Sequence, residues 1–323
     1  MQTGPLDIDF GALNGHSVGT LMKEAVRRAI VAIRGHRFTF EATAKSIRAG
    51  GGPDFVTSAD HAAQRVFVKL LREWFPQFGI VAEEGQLRVP CTHPTHDLWF
   101  TVDPLDGTKA FMRRQSHGIG TMVALVCDGK VLGACVGDVM TQEVYTARPG
   151  AGAVHRISEY GIAETLTVNT ARPLSDQWLL LRDRLERYSP AVQALLDPKD
   201  SLFLDVEGSS GSIGLAMARL WKGEVGGAVL NPIPWCTPWD MYPVACITER
   251  LGYRFLTLTG PEGIEPWTLT VSTEGLPIES EVLVVHESRL DEITLWLAAR
   301  RQASQNTAPT GLPIVDPSKK GTP

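Results

Sequence analysis

Asp103-Pro104-Leu105-Asp106-Gly107-Thr108 sets two carboxylates three residues apart at the end of an apolar run, directly before a Gly-Thr pair that can start a helix. Hard cations such as Mg²⁺ prefer carboxylate and carbonyl oxygen. Asp103 and Asp106 can therefore share metal ions, and a carbonyl in the bend, most readily that of Leu105, can add a further oxygen. Pro104 stiffens the turn by fixing φ. Gly107 lets the backbone approach a ligand closely, and the free N–H groups of Gly107 and Thr108 at a helix start suit a phosphate oxygen. The segment reads as a place for metal and phosphate together. It also suits an ordinary turn, because Asp and Gly are turn formers and Thr caps helices.

Other acids shift that balance. Glu83-Glu84 follows the apolar run Phe78 to Ala82, a second strand end carrying acid. Asp240 follows Trp239 and opens a helix expected from Met241 to Leu251. Asp60 precedes the amphipathic run His61 to Phe75, where Thr57 and Asp60 match a capping box in its T-x-x-D form. Capping does not prevent Asp60 from also serving chemistry.

The elements that must position these groups can be read from periodicity. Leu98 to Val102 is a buried strand, so Asp103 and Asp106 project from its carboxyl end, where open α/β sheets gather ligands. His16 to Arg34 has a helical apolar rhythm, and the Gly50-Gly51-Gly52-Pro53 run after it predicts a flexible loop. Thr121 to Cys127 and Val131 to Val136, joined by an Asp128-Gly129 turn, predict antiparallel sheet. Beyond about residue 160, helices at Ser212 to Trp221, Met241 to Leu251 and Leu290 to Arg301 alternate with strands at Val225 to Leu230 and Val282 to His286. The expected organisation is an N-terminal α+β half over 1–159, a C-terminal α/β half over 160–302, and a disordered tail over 303–323, rich in Pro, Ser, Thr, Gly and Lys. The site would lie between the halves.

V-T-S-A-D (56–60), V-A-E-E-G (81–85), D-P-L-D-G-T-K-A-F (103–111) and W-D (239–240) stand in the order and spacing of the inositol monophosphatase superfamily, which the chain resembles from about residue 16 to 301. The resemblance implies an α/β fold, the αβαβα sandwich of the inositol monophosphatase and fructose-1,6-bisphosphatase type. It implies Mg²⁺-dependent, often lithium-sensitive phosphatase chemistry with two or three ions. Glu83, Asp103, the Leu105 carbonyl, Asp106 and Asp240 correspond to metal ligands, with Asp103 bridging. Thr108 with Asp60 corresponds to the pair that orients and deprotonates water, helped by Glu83. Gly107 and Thr108 would hold phosphate, Gly211 and Ser212 would contact the alcohol portion, and the loop at 50–54 would close over a third metal. A homodimer is implied as well.

The chain also departs from the family pattern. Small residues usually follow W-D, whereas here Met241, Tyr242 and Pro243 follow it, so a pocket reshaped around Tyr242 and Trp235 is expected. Val229 to Pro238 lacks the acid with which inositol-specific members bind hydroxyls, which argues against myo-inositol phosphate as best substrate. Lys109-Ala110-Phe111 resembles the T-K-x-F form of nucleotide 3′-phosphatase and histidinol-phosphatase branches. Lys109 is thus a further substrate-binding candidate, although a solvated helix-start lysine fits equally.

Composition excludes several other classes. The 323 residues, 43% hydrophobic, can bury one large core or two modest ones, and a net charge of −5 gives no basic footprint for nucleic-acid polymers. Five cysteines without a C-x-x-C spacing fit a reducing cytoplasm, and no apolar run approaches the roughly 18 residues of a membrane span. His93-Pro94-Thr95-His96-Asp97 offers two imidazoles, but Pro94 opposes a regular helix and no third ligand is evident in sequence, so a loop is expected. Gly208 to Gly211 does not form the G-x-S-x-G of serine hydrolases. A catalytically silent paralogue that only binds a phosphorylated ligand would be expected to lack a ligand or the threonine, and here all are present.

Overall fold

The computed structural model describes residue 8 and residues 10–47, 53–260 and 263–307. The glycine run at 50–52, with its expected mobility, falls outside the described residues. The central strand Leu98–Asp106 is buried at all nine positions, as expected when both faces of a sheet are covered. Its neighbours build an eight-stranded sheet whose strands are antiparallel except for Gly79–Ala82, which runs parallel to it. That sheet ends with Ala163–Thr165, which folds back on Val154–Ile157. The first sheet therefore extends to Thr165, beyond the boundary expected at 159, because the turn at Gly161 reverses the chain into one more hairpin. A six-stranded sheet is built from Trp178–Leu181, Asp205–Gly208, Gly227–Leu230, Tyr253–Leu258, Ile264–Pro266 and Val282–His286.

Helices α1 (Gly15–Gly35) and α2 (Ser58–Trp74) cover one face of the first sheet. The α1 residues Val18, Met22, Ala25, Val26, Ala29, Ile30 and Ile33 recur at helical spacing and are buried. Asn14 caps α1 by accepting from the Ser17 N–H at 2.9 Å. Helix α2 opens at Ser58, three residues before the expected start, since Thr57 is the N-cap and Asp60 completes the capping box from inside the first turn. A short α3 (Thr108–Met112) follows the central strand.

In the second half, α4 (Pro190–Ala194) is succeeded by α5 (Ile213–Trp221), α6 (Pro238–Arg250) and α7 (Leu290–Thr307). Helices α5 and α6 lie between the two sheets and contribute Met217, Trp221, Met241 and Ile247 to a core that also takes Trp99 and Met122 from one sheet and Phe255 and Val284 from the other. Both helices are apolar on nearly every side for this reason. Helices α4 and α7 cover the outer face of the second sheet, with Val192, Ile293, Trp296 and Leu297 packed on Leu179, Leu181 and Leu283. The layers run helix, sheet, helix, sheet, helix, the expected αβαβα sandwich. Helix α7 continues to Thr307, five residues into the segment expected to be a disordered tail, and the first proline beyond it is Pro309. Residues 308–323 lie outside the described residues. No helix among the described residues is long and apolar enough to cross a membrane.

Candidate active site

Strand pairing does the first assembly. Ala82 is in parallel register with Val102, and the Glu83 N–H donates to the Val102 carbonyl at 3.2 Å, so Glu83 and Asp103 leave their strands side by side. Asp103 is 2% exposed, its Oδ1 accepts from the Leu105 N–H at 3.0 Å, and its carbonyl accepts from the Thr121 hydroxyl at 3.2 Å. The turn then swings Asp106 toward the second half. Its Oδ1 accepts from the Ile213 N–H at 3.1 Å, and its Oδ2 accepts from the Gly214 N–H at 2.8 Å and from the Ser212 hydroxyl. Asp106 thus meets the positive end of α5.

Asp240 arrives from the first turn of α6, which opens at Pro238 and not at Met241, because Pro238 suits N1 and Thr237 is the N-cap. The Thr237 hydroxyl donates to Asp240 Oδ2. Oxygens of Asp103, Asp106 and Asp240 all lie within 4.8 Å of one another. Burial, then the charges of Glu83, Asp106 and Asp240, pushes Asp103 well above the usual carboxylate range. Burial and Asp240 push Asp106 up against its hydrogen bonds, and burial raises Glu83 to about 8 despite Lys45. An all-oxygen set of crowded, desolvated carboxylates fits a hard divalent cation, which would relieve that repulsion.

Thr108 and Asp60 meet at the same turn. The Thr108 hydroxyl lies 3.2 Å from Asp60 Oδ1 and 3.2 Å from the Leu105 carbonyl. Asp60 is fully buried, and its Oδ2 is fixed by the Thr57 N–H at 2.8 Å and the Thr57 hydroxyl at 2.5 Å. Burial raises the Asp60 pKa, which favours accepting a proton. Gly107 has φ +95°, and a Cβ there would stand 2.3 Å from the Gly118 carbonyl and 2.8 Å from the Ser212 nitrogen. Only glycine allows the acidic turn to press against the 208–212 turn.

The fold brings together Asp60, Glu83, Asp103, Leu105, Asp106, Gly107, Thr108 and Asp240. The other candidates stand around this cluster. Ser212 is fully buried, with its hydroxyl engaged by Asp106 and by the Leu215 N–H, so its side chain supports the site from behind. Gly211 has φ +85° and its carbonyl accepts from Arg182 at 2.6 Å. Lys109 is exposed. Tyr242 does not reshape a pocket: it is 3% exposed, its ring lies 6.1 Å from Trp99, and its hydroxyl donates to the Ser272 carbonyl at 2.6 Å. The core between the sheets takes its bulk. The Trp235 side chain falls outside the described residues.

Two site residues carried no sequence signal. Lys45 sits in a bulge of the Ala42–Ile47 and Pro53–Thr57 hairpin, and the bulge aims its ammonium at Glu83 (3.1 Å) and Glu84 (2.5 Å). Burial disfavours that charge, but the two glutamates outweigh it and hold Lys45 above the usual lysine range. Arg182 follows a strand of the second sheet and supports the Gly211 turn. Beside that turn is a cleft of about 820 Å³, lined in part by His117, Gly118, Arg182, Arg184, Glu207 and Ser210.

The sandwich and its acidic turn define a layered α/β protein with a cluster of carboxylates where its two halves meet. The sequence model of the inositol monophosphatase family matches residues 16–303, and the chain belongs to that family of phosphatases. It is similar to the Nus factor SuhB of Salmonella typhimurium, 34% identical over 247 residues, 76% of this chain and 86% of that protein. It is also similar to the Nus factor SuhB of Vibrio cholerae, 38% identical over 103 residues, although that match spans only 37% of the Vibrio protein and 32% of this chain. Among solved structures, an IMPase/NADP phosphatase complexed with Mg²⁺ and phosphate superposes with a TM-score of 0.65 at 21% identity, covering 88% of this chain and 96% of that one. At that identity the likeness concerns the fold.

Proposed function

We propose that the protein hydrolyses a small phosphate monoester with Mg²⁺, through in-line attack of water at the acidic turn. The observation that carries this reading is the convergence of Asp103, Asp106 and Asp240 within 4.8 Å beside the Thr108–Asp60 pair. Glu83, Asp103, the Leu105 carbonyl, Asp106 and Asp240 would hold two or three ions. When bound, such ions lower the pKa of water and stabilise the entering and leaving oxygens. The chain's own residues orient and deprotonate. Thr108 is a weak base alone, but its hydroxyl proton has Asp60 Oδ1 to go to, so Thr108 Oγ1 is free to accept from the attacking water. Gly107 and Thr108 present helix-start N–H groups without intrahelical acceptors, which suit the phosphate oxygens. The substrate's alcohol portion would enter the cleft beside Gly211, where Arg182 and His117 stand.

The substrate would be a sugar, cyclitol, amino-alcohol or nucleotide 3′-phosphate. A silent phosphate binder is the weaker reading, because the whole set of ligands and the water-orienting threonine come together. A homodimer is proposed with the family resemblance as its support, and sedimentation measures it. The deciding experiment is phosphate release from a panel of these esters with and without Mg²⁺, with Asp103→Asn as control. Mg²⁺-dependent release by the unmodified protein alone is the expected result; no release from any ester, with Mg²⁺ bound, would favour the binder.

A further inference from the structure

We propose that His96, Cys127 and Asp128 form a second metal site, for a borderline-soft divalent cation of the Zn²⁺ type, at the opposite end of the central strands from the acidic turn. Leu98 pairs with Cys127 where Asp106 pairs with Gly120, so eight residues of strand, about 25 Å at the usual rise, separate the two places. The sequence alone offered the two imidazoles of His93 and His96 and no third ligand. The tertiary fold supplies two more donors, Cys127 at the end of its strand and Asp128 in the hairpin turn that follows.

His96 Nδ1 lies 2.8 Å from Asp128 Oδ2, Cys127 Sγ lies 3.4 Å from the same oxygen, and all three donor atoms fall within 4.8 Å of one another. Donor atoms around a tetrahedral Zn²⁺ stand roughly 3.5 Å apart, given bonds of about 2.0–2.3 Å. The arrangement therefore needs only a small opening of the His96–Asp128 contact to admit an ion. One nitrogen, one sulfur and one oxygen select a Zn²⁺-like ion over Mg²⁺.

The surroundings hold the donors in place. Asp128 has φ +48° and Gly129 φ +73°, a two-residue reversal that turns the carboxylate back over the 91–97 loop. Asp128 Oδ1 accepts from the Asp97 N–H at 2.9 Å. Cys91 braces the loop from within, its sulfur lying 3.4 Å from the Gln77 carbonyl and 3.5 Å from the His96 carbonyl, so its one proton can serve either. Cys127 is 3% exposed, so its sulfur is held in place beside the turn, and a bound ion would take the place of the thiol proton. An ion there would staple the loop to the hairpin.

The test uses Co²⁺ as a spectroscopic probe on the full chain carrying Asp103→Asn, with excess Mg²⁺ to occupy the acidic turn. A thiolate-to-cobalt charge-transfer band is expected, with proton release into a weakly buffered solution, and Zn²⁺ should quench it. Cys127→Ser should remove the band. His96→Gln should weaken Zn²⁺ binding by more than the roughly 10–100-fold that the outer partners of a metal site cost. In the otherwise unmodified chain, neither substitution should change Mg²⁺-dependent phosphate release. Absence of the band at every Co²⁺ concentration, or a band that survives both Cys127→Ser and His96→Gln, overturns the proposal and leaves His96–Asp128 as a hydrogen bond that joins loop to turn.

Discussion

Asp60 gives its two oxygens different tasks: Oδ2 is consumed by the Thr57 cap, and Oδ1 is left pointing at Thr108. A helix cap thereby fixes where the second oxygen points, so the capping role and the proposed proton-accepting role of the same residue are compatible. Thr108→Ala should lower kcat by roughly 10²–10⁴-fold, the usual contribution of a positioned proton-transfer group. Adding Asp60→Asn to that variant should cost little more, since both act as one unit; steady-state kinetics on the best ester checks both. Asp103→Asn should remove on the order of several kcal/mol of charge stabilisation, about a thousand-fold or more in rate. Thermal unfolding of the metal-free variant should show it no less stable than the parent, because one member of a crowded acid cluster has lost its charge.

At the scale of elements, the site depends on two turns pressed together. Gly107→Ala asks for a left-handed conformation at an alanine and drives its Cβ into the Gly118 carbonyl and the Ser212 nitrogen, so a loss of about 1–3 kcal/mol from the strained backbone alone is expected. Urea unfolding measures that loss, and phosphate release should fall with it as Asp106 and α5 move apart. Helix α5 owes its position to Asp106, whose two oxygens accept from the first backbone N–H groups of the helix. Through this contact a carboxylate of the first half positions a helix of the second.

For the whole molecule, buried carboxylates between the halves make metal-free stability depend on pH. Glu83 is raised from its model-compound value of 4.5 to about 8, and Asp103 and Asp106 are raised too. Between those values the folded protein keeps protons that the unfolded chain releases. The stabilising contribution is therefore complete below about pH 4.5 and is lost as pH rises toward 8. In EDTA, Tm should fall over that window, net of other titrating groups, and Mg²⁺ should restore most at the alkaline end. At a hundred times its Kd, Mg²⁺ should add about 2.7 kcal/mol, which calorimetry can read.

Most of this was legible along the chain because it is local. Strand ends, helix periodicity, the Thr57–Asp60 cap and the two-carboxylate turn are each written within a few consecutive residues, and their order sufficed for the sandwich and for placing Glu83, Asp103, Asp106, Thr108 and Asp240 as candidates at strand ends and helix starts. Side-chain direction and long-range pairing were not legible. A strand bulge aims Lys45 at Glu83 and Glu84, and helix capping across the halves turns Ser212 inward. Tyr242, whose bulk after W-D pointed to an altered pocket, faces the core because α6 lies between two sheets and has almost no solvent side. Likewise His96 found its companions only through the hairpin register that sets Cys127 opposite Leu98. Local pattern along the chain marked the candidate groups and the elements that bear them. Which of those groups face one another depends on register and packing between segments far apart in the chain, so the three-dimensional fold was needed to show it.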